Sequence, residues 1–266
     1  MSGPAGTEPG SPDPDVLYER RGSAALITIN RPERRNAVDG PTAAALHEAY
    51  LRFEQDEAAR VLVVTGAGEL AFCAGADLKA TRSMAGRLMS AEGPMGFTRL
   101  TPSKPTIAAI SGFCLAGGLE IALWCDLRIA TDTAVLGYPE RRWGVPLIDG
   151  GTQRLPRVVG LGRALDLILT GRMIDAKEAL GMGLLTEVVA AGGHLERALA
   201  LAEGLAGFPQ STMLADRRAA IEGLGMPLSQ GLALEAAAGP EVFEDGARGA
   251  ERFASGEGRG GAGAGA

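Results

Sequence analysis

The sequence predicts an α/β fold with a helical C-terminal region, on three observations. Short apolar runs of strand type alternate with helical segments as far as residue 194. No strand pattern remains from 195 to 253. The core is of small and aliphatic type, because 46% of the 266 residues are hydrophobic while only 5% are aromatic and 39 are Gly. That length suits one large domain, or a domain with a helical appendage.

The elements follow in chain order. Residues 1–15 are rich in Pro, Gly and acids and predict a disordered tail ahead of a core spanning 16–194. Residues 25–30 predict a strand, and 31–36 a basic loop. Residues 41–57 carry helical spacing, with Leu46, Tyr50 and Phe53 repeating at four and three positions. The runs at 60–65, 106–111 and 126–131 are continuous and apolar, as in strands buried on both faces. Between them, 81–103 fits neither period. Its Met84, Met89 and Met95 stand between glycines, which predicts a segment able to repack around variable shapes. A helical region over 195–255 and a flexible Gly/Ala tail over 256–266 complete the chain.

Charge and cysteine usage exclude several function classes. A net charge of −6 argues against nucleic-acid binding, which needs a basic face to displace counterions. Cys73, Cys114 and Cys125 are odd in number and form no CxxC pair, so reduced thiols and a cytoplasmic protein are expected. No signal peptide and no apolar run long enough to span a membrane is recognisable.

Residues 61–71 (VLVVTGAGELA) resemble the outline of a dinucleotide fingerprint, which requires a helix to start at the glycines. The chain breaks again at Ala74-Gly75-Ala76-Asp77, so a turn explains the glycines more simply. No GxxxxGK[ST] and no GxSxG occurs. The two histidines, His47 and His194, support neither a triad nor a metal cage. The chemistry is left to carboxylates and backbone amides, and no metal site or cofactor is expected.

Two segments supply both. Residues 71–79 (AFCAGADLK) form a Gly-containing loop, and 111–126 (SGFCLAGGLEIALWCD) run from a buried-type strand through a glycine pair into an apolar helix. Glu120 falls in the first turn of that helix. The helix dipole alone favours a carboxylate there, yet its neighbours Leu119, Ile121, Ala122 and Leu123 make burial costly. The amides of Gly117 and Gly118 lie at the helix start, where free N–H groups can bind a developing oxyanion.

These segments resemble the two signature loops of the crotonase (enoyl-CoA hydratase/isomerase) superfamily. Residues 139–160 (PERRWGVPLIDGGTQRLPRVVG) resemble its third block, and the likeness extends from about residue 16 to 253. The resemblance implies a spiral of ββα units, a C-terminal region for trimerisation, and a homotrimer or hexamer. It implies an acyl-CoA thioester as substrate, with coenzyme A belonging to the substrate rather than acting as cofactor. Carried over, the oxyanion donors fall on Ala74 and Gly117. Loss of one such donor typically slows a reaction by about 10²–10³.

The two glutamates of the hydratases match Glu120, which would take a proton from water, and Glu140, which would give one to Cα. For Glu140 the plainer role is a solvated turn residue beside Arg141 and Arg142. Asp149 stands where a simple hydratase has a small residue. It resembles the aspartate with which dienoyl-CoA isomerases move a proton, or it N-caps the helix near Thr152. For coenzyme A the family uses the loop after the first strand, where Arg31, Arg34 and Arg35 suit phosphates. Contacts from Ala37, Ala76, Asp77, Leu78, Gly118 and Pro139 are expected on the same resemblance. The implied reaction is reversible syn addition of water to a trans-2-enoyl-CoA. The alternatives are an enoyl- or dienoyl-CoA isomerase using Glu140 and Asp149, and a non-catalytic acyl-CoA binder.

Overall fold

The computed structural model describes residues 14–256. Both predicted tails therefore lie outside the described residues, except for Pro14, Asp15 and Gly256. Asp15 is tied into the fold, since its carbonyl accepts the Asn30 N–H at 2.7 Å.

β1 (Val16–Arg21) turns at Gly22 into antiparallel β2 (Ala24–Ile29). Gly22 has φ +60°, a conformation that costs glycine little. A 3-10 turn at Pro32–Arg34 leads to α1 (Gly40–Gln55), where the Asp39 side chain accepts the Thr42 N–H at 3.0 Å and proline occupies the first turn. Leu46, Tyr50 and Phe53 are its buried stripe, as their spacing predicts.

β3 (Val61–Gly66) follows, buried throughout, and β4 (Ala71–Cys73) comes next. The GxGxxA stretch is thus a turn between two strands, and no helix starts there. Residues 78–87 form a 3-10 helix kinked at Ala80. Then come β5 (Thr106–Ile110), β6 (Phe113–Leu115), α2 (Gly117–Trp124), β7 (Leu127–Thr131) and β8 (Val135–Gly137). A 3-10 turn at Pro139–Trp143 precedes α3 (Gly151–Val159), α4 (Leu161–Thr170), β9 (Met173–Asp175), α5 (Ala176–Gly181) and β10 (Glu187–Val189). Three helices end the described chain: α6 (His194–Gly207), α7 (Gln210–Gly223) and α8 (Leu228–Ala254).

The strands form two sheets. The larger has the order β1-β2-β3-β5-β7-β10, parallel apart from β1; the smaller has the order β4-β6-β8-β9, with β9 antiparallel. β3, β5 and β7 of the first sheet are each followed by a short strand of the second and then by a helical segment, so this part of the chain winds as repeated ββα units.

The continuous apolar runs of β3 and β5 reflect cover on both faces. Val61, Val63, Ile107 and Ala109 pack with Ala198 and Ala202 of α6, whose small side chains let the helix come close. Leu62, Val64, Ala108 and Ile110 face the main core with α1 and α2. No helix among the described residues is long and apolar enough to cross a membrane. The three cysteines are buried and unpaired.

Candidate active site

The site forms where the loop after β4 meets the start of α2. Gly75 has φ +93°, and a Cβ on it would lie 2.8 Å from the Ala116 Cβ. Only a glycine lets the two backbones approach this way. Ala116 caps α2 with φ +52°, a left-handed conformation unusual outside glycine, and so turns β6 sharply into the helix.

The Ala74 amide does not serve as the resemblance implies: it donates to the Arg35 carbonyl at 3.1 Å and is already spent. Among the described residues, the Ala76 amide of this loop has no backbone partner. Val38 takes its two main-chain bonds from the flanking residues, donating to the Gly75 carbonyl and accepting from the Asp77 N–H, each at 2.8 Å. Extended backbone alternates its polar groups, which turns the Ala76 N–H away from Val38. On α2 the first N–H groups have no intrahelical acceptor. The first bond at this end is from the Glu120 N–H to the Ala116 carbonyl at 3.1 Å, which leaves the Gly117 N–H unpaired.

Ala76 and Gly117 both line a cavity of about 390 Å³. Its other walls are mostly apolar, with Met84, Leu88 and Met95 on one side and Val145, Pro146 and Leu147 on the other. Three carboxyl side chains reach it, those of Glu120, Glu140 and Asp149.

All eight residues of α2 are buried, Glu120 among them. Its Oε1 accepts the N–H groups of Asp149 at 2.9 Å and Gly151 at 2.7 Å, and these fix the carboxyl. Burial pushes this carboxyl up to about 8 against the pull of the Gly151 amide, with the negative charge of Asp149 adding to the rise. Glu140 follows Pro139 in the 3-10 turn after β8 and is 5% exposed, so it is not a solvated turn residue. Among the described residues neither of its carboxyl oxygens has a hydrogen-bond partner, and burial raises it to about 7. An unpaired buried carboxyl is destabilising. Its place is understandable if substrate or water completes it.

Asp149 does not cap the following helix. Gly150 occupies the N-cap of α3 without any side-chain bond. The Asp149 Oδ1 instead accepts the Met95 N–H at 3.0 Å and the Thr98 hydroxyl, and burial raises the carboxyl above its usual range.

Leu78 and Pro139 line the cavity as expected, and so does Ala74 by position. Asp77 does not: it is buried, takes the Lys79 N–H at 3.0 Å and faces Arg31 at 3.5 Å. Gly118 is pressed against the Cys73 carbonyl, where its lack of a side chain serves helix packing on β4. Arg31 is likewise internal, paired with Asp39 at 2.8 Å. Arg34 and Arg35 are exposed and form no ion pair among the described residues; the Arg35 guanidinium lies 5.4 Å from the Phe113 ring centroid. Ala37 is buried beside them and does not line the cavity. His47 and His194 do not line it either; the His47 ring bonds the Gly96 carbonyl at 2.9 Å.

Sequence reasoning gave no individual site role to three residues here. Met95 lies against Gly117, Trp143 stands 65% exposed on the cavity's wall, and Tyr138 buries a hydroxyl with no partner beside Gly151. Two of them left a signal: Met95 in the methionine- and glycine-rich segment, and Tyr138 as a phenol at an otherwise apolar strand end.

The family model described as "Enoyl-CoA hydratase/isomerase" matches residues 19–254. A probable enoyl-CoA hydratase of Rhizobium meliloti (strain 1021) is 42% identical over 224 residues, covering 83% of this chain and 86% of its own. The short-chain-enoyl-CoA hydratase of Clostridium acetobutylicum is 37% identical over 233 residues, covering 86% and 89%. Among solved structures, enoyl-CoA hydratase from Mycobacterium tuberculosis H37Rv superposes with a TM-score of 0.86 at 36% identity, covering 91% of this chain and 96% of that one.

Proposed function

The chain belongs to the enoyl-CoA hydratase/isomerase family, and from that premise we propose that it is an enoyl-CoA hydratase, adding water reversibly to a trans-2-enoyl-CoA. The observation that carries this reading is the joint exposure of Glu120 and Glu140 to one apolar cavity whose wall holds the unpaired amides of Ala76 and Gly117.

In this reading the thioester carbonyl oxygen sits between those two N–H groups. They stabilise the negative charge that develops as water attacks the β-carbon, and they do so without reorganising. The Glu120 carboxylate takes a proton from the water as its oxygen bonds to Cβ. The Glu140 carboxyl gives its proton to Cα, and addition on one face is syn. A proton then returns from Glu120 to Glu140 to restore the starting state. The steps form one C–O bond and one C–H bond and pass protons between oxygens with no net oxidation or reduction, so the proposed chemistry calls for no metal or redox cofactor. The raised carboxyls suit the work, since a group near neutrality can both hold and release a proton at working pH.

For coenzyme A, the exposed Arg34 and Arg35 beside the β2–α1 loop are the proposed counter-charges for phosphate, with Ala37 contributing main chain. We extend the proposal to a homotrimer or hexamer and a cytoplasmic location. The large exposed apolar side chains on and between α7 and α8 (Leu224, Leu228, Leu232, Phe243) support the first, and the buried free thiols support the second.

Incubation with crotonyl-CoA tests the reaction. Loss of the conjugated-thioester absorbance supports hydration, and persistence of that absorbance overturns it. The presence of Asp149 in the cavity favours a second reading, double-bond isomerisation through Glu140 and Asp149. That reading predicts a gain of conjugated absorbance from a 3-enoyl-CoA with none lost from crotonyl-CoA.

A further inference from the structure

We propose that Asp149 is a positioning residue that sets acyl-chain selectivity by fastening the 93–98 segment to the catalytic wall, and is not a proton carrier. This rests on the hydratase reading above.

Asp149 stands between two parts of the site. Through its main chain it holds Glu120, donating its N–H to Oε1 at 2.9 Å. Through its side chain it holds the segment opposite, where Oδ1 accepts both the Met95 N–H at 3.0 Å and the Thr98 hydroxyl. Arg154 adds a second stitch, donating to the Asp149 carbonyl at 2.9 Å and the Thr98 carbonyl at 2.6 Å.

Met95 is what this fastening controls. Its side chain fills the space where a Cβ of Gly117 would otherwise stand, and with Met84 and Leu88 it walls the cavity. A methionine adapts its shape unless its backbone is held, and Asp149 holds that backbone. Removing the bond frees the wall and changes how much room an acyl chain finds.

The same geometry separates positioning from proton transfer. Oδ1 acts here only as an acceptor for an N–H and an O–H, which an amide oxygen does equally well. A proton carrier cannot be replaced by an amide.

The experiment compares kcat and KM for C4 and C10 trans-2-enoyl-CoA in wild type, Asp149→Ala, Asp149→Asn and Thr98→Val. The proposal expects the C4/C10 ratio of kcat/KM to move by about tenfold in Asp149→Ala, mainly through KM. Thr98→Val should move it in the same direction, and Asp149→Asn should restore it to within about threefold. Should Asp149→Ala fail to fold, Thr98→Val and Asp149→Asn decide. An Asp149→Asn as impaired as Asp149→Ala, or an unmoved ratio in Thr98→Val, overturns the proposal. If wild type hydrates neither substrate, the hydratase reading has failed on its own; the same ratios measured as acyl-CoA dissociation constants still test the fastening.

Discussion

A Cβ built on Gly75 would stand 2.9 Å from the amide nitrogen of Gly117, so the two loops that hold the proposed oxyanion donors touch backbone to backbone. Gly75→Ala must therefore push the loops apart, and it strains a residue at φ +93° as well. Displacing one donor is expected to lower kcat by about 10²–10³. Hydration rate measured beside the circular-dichroism melting curve checks this, since a folded variant with wild-type kcat would contradict it.

Glu120→Gln and Glu140→Gln keep side-chain volume while removing the proton chemistry. Each is expected to slow hydration by about 10²–10⁴, and the double variant by little more than the worse single one, because the two act as a unit. Multiplicative losses in the double variant would show that they work independently. Acyl-CoA binding should survive in all three, since the amides are untouched.

The elements that were legible in the sequence share one property: their signal is local. α1 declared itself by Leu46, Tyr50 and Phe53. β3 and β5 declared themselves as apolar runs because both faces are covered, and β7 did so despite Arg128 within it. The strands β4, β6, β8, β9 and β10 are three residues long, too short for any period to register. Among site residues, Glu120 stood out because a carboxylate amid apolar neighbours is costly, whereas Glu140, beside Arg141 and Arg142, was marked by the family resemblance alone. The choice between Ala74 and Ala76 could not be read, because it depends on which amide Arg35 consumes, a contact across 39 positions of sequence. The Asp149–Met95 bond was hidden for the same reason. It spans 54 positions and joins a recognised block to a segment without any period.

The raised carboxyls predict a pH dependence of definite sign. Glu140 moves from 4.5 up to about 7, so the native state keeps a proton that the unfolded chain has already lost. Its contribution to stability is thus complete below pH 4.5 and declines as pH rises through about 7. Glu140→Gln has no such slope. It is expected to gain on wild type between those limits, by on the order of 2 kcal/mol once partial screening by solvent is allowed for, or roughly 4–8 °C in Tm. Melting temperatures at pH 4.5 and pH 8 measure it, and a gap that narrows with rising pH would refute the assignment.

Activity follows from the same pair. The working form has Glu120 ionised and Glu140 protonated; with the two titrating near 8 and 7 it is the less populated of the two singly protonated forms, and its population still peaks between those values. Hydration should rise and then fall with limbs near those values, belonging to the pair rather than to either residue. A kcat/KM profile flat from pH 6 to 9 would remove both groups from the mechanism.

Arg34 and Arg35 are the exposed cations of the basic loop, whereas Arg31 is consumed by Asp39 and Asp77. Neutralising the first two should raise KM for acyl-CoA by about fivefold each with kcat kept, and added salt should shrink the effect, as expected for solvent-screened contacts with phosphate. Arg31→Ala should act differently, lowering Tm because it leaves Asp15, Asp39 and Asp77 without their shared partner. If Arg31→Ala raised KM alone and left Tm intact, the division of labour in this loop would be wrong.

Binding can be followed without turnover, because the two tryptophans are placed in opposite settings. Trp124 is buried, with its indole N–H bonded to the Leu100 carbonyl at 2.7 Å, and does not line the cavity. Trp143 is largely exposed and stands on the cavity wall next to Gly144 and Val145. An acyl chain entering the cavity takes water from the Trp143 indole and leaves Trp124 as it was. Emission should therefore shift to shorter wavelength on addition of a saturated acyl-CoA, and the shift should vanish in Trp143→Phe. Persistence of the full shift in that variant would place the acyl group elsewhere than in the cavity bounded by Glu120 and Glu140.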